Sequence, residues 1–313
     1  MKLWKFGLAL ALCLSLTACG NIPAETSEDP AGTAPLTAGT PPAPADSTLS
    51  LDPDEEPTVL TCRIVDGAED GTLLLAELDE GLHGGTGVYR LAVKDVPVTL
   101  DGEAAEPSAL EDGMAVDVAF NGTVMETFPA QLGEVYSVSA WTRGRGRSPA
   151  GTTYDLCGLY LQVLDDLWEK DKGLNENITL AGLDLSQAPG ELTESEKAAL
   201  AWRFGELHGV EVVTGTFDEL KEQGYFTASA ISTPAPEEGE DYSRLWYQWE
   251  DGCLFSITPN EDHEGELYSL PAVFFNAEKW RSPLGAYFFH DCSAMWPEAG
   301  TWSGYQIGSE MIS

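Results

Sequence analysis

The sequence predicts two folded domains in series, a small all-β, OB-like barrel and then an α+β domain, behind a signal peptide and a disordered tether. Three observations carry this. Residues 58–142 hold short β-branched and aromatic runs, alternating with period two and cut by Gly and Asp turns. From residue 152 onward, capped stretches of helical period interleave with further strands. Between them lies "TRGRGRSPAG", a Gly, Ser and Pro-containing stretch that reads as a linker over 143–151.

The chain begins with a positive segment (Lys2, Lys5), then an apolar run from Phe6 to Leu16, then Thr17-Ala18-Cys19. That is the layout of a secretory signal over 1–18, and the run is short for a membrane span. "LTAC" resembles the lipobox of bacterial lipoproteins. The resemblance implies cleavage before Cys19, a thioether-linked diacylglycerol on its sulfur and acylation of the new amino terminus. Two or more acyl chains suffice for stable anchoring. Residues 19–57 are rich in Pro, Ala, Thr and acids and lack aromatics. Such a tract buries too little apolar surface to offset chain entropy. Extended at about 3 Å per residue it reaches on the order of 100 Å, enough to hold domains off a bilayer.

In the domain 58–142, strands are expected at Val59–Asp66, Thr72–Leu78, Val88–Val93, Val96–Leu100, Met114–Phe120, Val124–Phe128 and Val135–Trp141. Asp70-Gly71 marks a hairpin, and Met114, Val116, Val118 and Phe120 share one face. One brief helix, opened by Pro107, precedes the later strands, which suggests the OB-like order. The run "LEDGMAVDVAFNGTVMETFPAQLGEVYSV" resembles a domain of unknown function found in small lipoproteins of Gram-positive bacteria. That resemblance implies an OB-like barrel in an exported setting and no particular chemistry.

In the domain 152–313, a helix is expected near Tyr154–Lys170, with Leu156, Tyr160, Val163 and Leu167 on one stripe. "ITLAGLDL" is a strand. Thr193 and Glu196 form a capping box for a second helix ended by Gly209, and Thr216 and Glu219 cap a third, closed by Gly224. "VEVV" lies between them as a strand. "LWYQWE" and "CLFSIT" flank Asp251-Gly252, a strong hairpin signal; "AVFF", "GAYFFHDC" and "WSGYQIG" supply more strands, expected to be antiparallel. This half resembles C-terminal domains of lipoproteins of gut clostridia, through "YDLCGLYLQVLDDLW", "GTFDELKEQGYF" and "KWRSPLGAYFFHDC".

The formal net charge is −36, from 52 acidic and 16 basic residues. Acids are spread over tether and both domains, so nucleic acid and anionic lipid are excluded as broad partners. Arg143, Arg145 and Arg147 break the pattern. They read as a linker whose guanidinium groups pair with the acidic flanks, with an anion or partner site as the alternative. Cys13 leaves with the signal. Cys62, Cys157, Cys253 and Cys292 then remain, without the C-x-x-C spacing of zinc or redox motifs. Buried thiols are one expectation; a Cys253–Cys292 disulfide within the second domain, permitted by export, is the other.

Chemical motifs are sparse. "LHGGTG" at 82–87 has the His-Gly-Gly of an oxyanion hole but no G-x-S-x-G partner, so it reads as a glycine-rich loop. Asn260, Asp262 and Glu264 stand at alternate positions before Gly265, as hard oxygen ligands of Ca²⁺ do, yet Pro271 occupies the place of the bidentate Glu. His290 and Cys292 fall on one strand face and Asp291 on the other, which makes no triad. Trp246 and Trp249 face opposite sides, so one is expected in the core. The sum points to a membrane-anchored, extracytoplasmic binding or sensing module without catalysis, its ligand a protein, peptide or glycan. A hydrolase with a site assembled from distant residues, or a calcium- or solute-binding accessory subunit, are the alternatives.

Overall fold

In the computed structural model, the described residues are 56–79, 87–141, 155–190, 192–230, 245–263, 272–298 and 301–313. Cys19, the tether as far as residue 55, His83 and Arg143, Arg145 and Arg147 lie outside them. Among the described residues no helix is long and apolar enough to cross a membrane.

The first sheet takes its strands from the amino-terminal half. They are β1 (Thr58–Asp66), β2 (Thr72–Glu77), β3 (Val88–Ala92), β4 (Val98–Leu100), β5 (Glu103–Ala105), β6 (Ala115–Phe120), β7 (Val124–Met125), β8 (Ala130–Leu132) and β9 (Val135–Trp141). Their hydrogen-bonded order is β5-β4-β9-β6-β1-β2-β3-β8-β7, with β5 and β7 at open edges. The expected closed OB-like barrel is therefore not formed. The sheet curls instead. β8 and β9 lie five strand steps apart along the ladder, about 24 Å if flat, yet only Gly133 and Glu134 join them. Among the described residues the end strands β5 and β7 do not pair with each other, and the ladder thins towards β7, β3 and β8 sharing only Tyr89↔Ala130 and Arg90↔Gln131. Alternation decides the inner face as expected. Val116, Val118 and Phe120 are fully buried in the curl, with Met114 packed against them.

The second half contributes α1 (Leu156–Glu169), β10 (Leu180–Asp184), α2 (Glu194–His208), β11 (Glu211–Thr214), α3 (Phe217–Glu222), β12 (Thr227–Ala230), β13 (Leu245–Gln248), β14 (Gly252–Pro259), β15 (Ala272–Ser282), β16 (Gly285–Glu298), β17 (Thr301–Gln306) and β18 (Ser309–Ile312). The main sheet runs β11-β10-β14-β15-β16-β17, with β18 also paired to β16. It is mixed: β10 runs parallel to both β11 and β14, and the remainder is antiparallel. Both capping boxes form, at Thr193/Glu196 and Thr216/Glu219, and Gly209 ends α2 at φ 64°.

Asp251-Gly252 does not make the expected hairpin. β13 pairs with β12, while β14 pairs with β10 and β15. The chain breaks because the fully buried Trp249 tucks its indole against Gly252, where no Cβ fits. Trp249 then packs with Leu220, Phe226 and Leu254 beneath α3.

The two halves share one core. Val65, Leu74, Ala76 and Val88, on the outer face of β1–β3, bury against α1, α2 and the second sheet. Residues 52–313 accordingly form one compact unit. At its centre Arg63 Nε lies 2.6 Å from Glu196 Oε1, with the two side chains 2% and 4% exposed. Arg63 Nη1 also donates to Gly113 O, and Glu196 Oε2 accepts from Thr193 N. Burial works against the Arg63 charge, but Glu196 beside it holds the guanidinium pKa above its ordinary value. Asp155, the amino-terminal cap of α1, completes this cluster by accepting from Gly158 N. Gly113 (φ 86°) is obligatory here, since a Cβ would sit 2.7 Å from Asp155.

Two more cations act as internal ties. Lys279 is fully buried and donates to Lys170 O at 2.7 Å and to Leu167, Trp168 and Asp171 carbonyls at 3.3–3.4 Å, closing the end of α1. Burial pulls its pKa down to about 8. Arg281 similarly grips Leu174 O and Glu176 O.

Candidate functional site

The parallel strands create a crevice in which polar groups from separate elements converge. "LAGLD" and "EVVT" are linked by α2 in a β-α-β crossover, so both strands point their carboxyl ends the same way. Open sheets of this kind bind ligands outside those ends. α2 starts beside them, and so does α3, whose Leu220 packs on the opposite sheet face from the buried Phe204 of α2. The gap is a cavity of about 340 Å³. Its lining includes the polar side chains Asp184, Ser186, Glu194, Lys197, Thr216 and Glu219.

Each of these side chains is oriented by a local bond. Asp184 Oδ1 accepts from Ser186 N at 3.1 Å and Ser186 Oγ at 2.7 Å, closing a turn at the end of β10. Glu219 Oε2 accepts from Thr216 N and Oγ1, at 2.8 and 2.9 Å. These bonds, backbone first, hold the Glu219 pKa below its usual value. Lys197 Nζ meets Glu194 Oε1 at 2.8 Å. Three carboxylates thus face one ammonium, an electronegative crevice suited to a small cationic ligand.

The residues singled out in the sequence lie elsewhere. Asn260 is buried and committed: its Nδ2 donates to Asp291 Oδ1 at 2.9 Å, and its Oδ1 accepts from Asp262 N at 3.1 Å. Glu264 lies outside the described residues, and among those described no group of three His, Cys, Asp or Glu is placed to hold a metal. Cys253 and Cys292 do not pair; all four described cysteines are buried free thiols. β15 separates their strands, and Cys292 faces Phe275 while Cys253 lies near the Trp280 end. The offset is roughly 20 Å along the strand, far beyond disulfide reach. Burial raises every one of these thiols, Cys253 to about 11 and Cys292 to about 12.

His290 and Cys292 do not share a face either. Phe275 pairs with Cys292 and Ala277 with Phe289, so His290 and Asp291 form a bulge opposite Asn276. Asp291 takes φ 55°, and its N–H donates to Asn276 Oδ1. The bulge resets alternation: Phe289 and Cys292 point into the core, while His290 stacks on Phe288. Of the tryptophans, Trp249 is core as expected, and Trp280 is packed edge-on to Phe217 and Phe226. Among the described side chains, Trp246, Trp249, Trp280 and Trp302 are all at least partly buried and make no exposed aromatic row. His208 stacks on Trp168 at 4.2 Å with its Nε2 3.3 Å from Asp165 Oδ1, and burial lowers its pKa against the pull of that carboxylate.

Asp184, Glu194 and Lys197 carried a signal in the sequence. A strand, a capping box, a helix and a second strand in series imply parallel pairing and hence a crevice after "LAGLD". No protein-family model, curated protein or solved structure matches this chain.

Proposed function

We propose that this chain is a lipid-anchored binding protein of the outer face of a bacterial membrane, and that the crevice between the amino ends of α2 and α3 takes a small cationic ligand such as a polyamine. The observation that carries the ligand class is the three-to-one excess of carboxylates over ammonium in a cavity of about 340 Å³. Its groups are held by cap and turn hydrogen bonds, so the site is ordered before a ligand arrives. Anchoring rests on Leu16-Thr17-Ala18-Cys19 behind the apolar run, and the acidic tether would keep the crevice clear of the bilayer.

Spermidine is the probe. Calorimetry should give saturable binding that weakens with salt and is lost in Asp184→Asn/Glu194→Gln, while a neutral trisaccharide gives no heat. Trisaccharide binding, or spermidine binding unchanged by the double substitution, would refute the assignment. For the anchor, Cys19→Ser should move the protein from the membrane to the soluble fraction; retention there would refute lipidation at Cys19.

A further inference from the structure

The open edge of β11 carries a second feature, a groove that adjoins the polar crevice and shares Ala198 and Thr214 with it. Among the described residues nothing pairs with β11 on its far side. Glu211 N donates to Thr179 O at 3.0 Å and Gly215 N to Leu183 O at 3.1 Å, both toward β10. In a parallel ladder the intervening Val212 and Thr214 then direct their N–H and C=O groups outward.

An apolar groove of about 390 Å³ runs beside this edge. Its floor is Ala198, Ala201 and Gly205 of α2 with Val212 of β11; its walls are Trp202 and Phe128. Gly205 sits mid-helix, where glycine weakens a helix by about 1 kcal/mol. Close approach explains it: a Cβ would stand 2.8 Å from Val210 O and 3.1 Å from Val212 Cγ2. Trp202 is fixed by the Arg90 guanidinium, 5.5 Å over its ring. Phe128 is 51% exposed, and Met125 beside it 46%. Glu206 and Glu211 line the same groove.

We infer that this groove is a docking site for an extended peptide of another protein, which adds a strand to β11 and carries alternating apolar and basic side chains. The outward main-chain groups require an extended partner. Period-two alternation would drop every second side chain onto the Ala198–Gly205 floor, so those are apolar. Glu206 and Glu211 call for basic residues between them. Charge also selects against the other occupants. A second copy carries the same formal −36, and the tether 19–57 holds eight acids and no Lys or Arg.

The probe is a fluorescein-labelled decapeptide of alternating lysine and valine, titrated into the full chain by fluorescence anisotropy. Saturable binding is expected. It should weaken about tenfold when the peptide nitrogens facing β11 are methylated, the scale of one lost hydrogen bond. Glu206→Lys/Glu211→Lys should weaken it comparably, and Asp184→Asn should leave it unchanged. Val212→Pro, which removes an outward N–H, should act like the methylated peptide; because both substituted glutamates are exposed and methylation alters only the probe, the test does not depend on that variant folding. The inference is overturned if no saturable binding occurs, if a glutamate–valine decapeptide binds equally, if methylation has no effect, or if sedimentation shows the chain pairing with itself through this edge.

Discussion

Arg63→Met tests the most consequential contact in the molecule. Methionine keeps most of the apolar stem and removes the charge. Glu196, 4% exposed on its side chain, then loses its cation while still accepting from Thr193 N. Gly113 O also loses the Nη1 donor. Breaking a buried ion pair by removing one partner costs about 3–5 kcal/mol, a large share of the about 5–15 kcal/mol available to a typical protein. Because Arg63 sits on β1 and Glu196 on α2, the loss should appear in both halves at once. Urea unfolding followed by far-ultraviolet circular dichroism and by tryptophan fluorescence should give coincident transitions, shifted together in the variant. Arg63→Met/Glu196→Gln should recover much of the loss, since the glutamine carbonyl can still serve Thr193 N without a buried charge. A coupling of about 2 kcal/mol is expected from the cycle. A single-variant loss below about 1 kcal/mol, or simple additivity, would refute the reasoning. Separate transitions for the two halves would refute the shared core.

Two further outcomes follow from buried groups. Burial first, then the neighbouring Asp112 and Glu196 charges, raises the Asp155 pKa from 3.8 to about 6 against the opposing pull of Gly158 N and Arg63. A raised folded-state pKa gives stability that is complete below about 3.8 and lost as pH rises through about 6, worth about 3 kcal/mol. The stability difference between the wild type and Asp155→Asn, which keeps the cap oxygen, should therefore move in the variant's favour across pH 4–6; a flat difference would show that Asp155 does not titrate there. Cys62, Cys157, Cys253 and Cys292 should be silent to a thiol reagent in the folded protein and react on unfolding, with midpoints unchanged by reductant; reductant-sensitive stability would contradict free thiols.

Local features were legible in the residues because short-range chemistry sets them. Alternation placed Val116, Val118 and Phe120 inward, and two Thr-x-x-Glu boxes opened α2 and α3 where they stand. The stripe Leu156, Tyr160, Val163 and Leu167 is buried throughout. The errors arose where a local signal met a distant partner. Asp251-Gly252 is a good hairpin turn in isolation, but Trp249 gains more by burial under α3 than by continuing the strand. Alternation at His290–Cys292 failed because Asn276, on the neighbouring strand, holds a bulge open.

By itself, then, the sequence determined the mostly β character, the helix ends, the acidic charge and the segment pattern from which lipidation at Cys19 is expected. Each is a property of residues within a few positions of one another. Tertiary structure alone decided that the first sheet stays open, that Arg63 finds Glu196 across 133 positions, and that β10 also lies parallel to the distant β14. Those outcomes depend on which buried surfaces and charges satisfy one another after the chain folds back. The polar crevice and the open β11 edge are products of that long-range pairing.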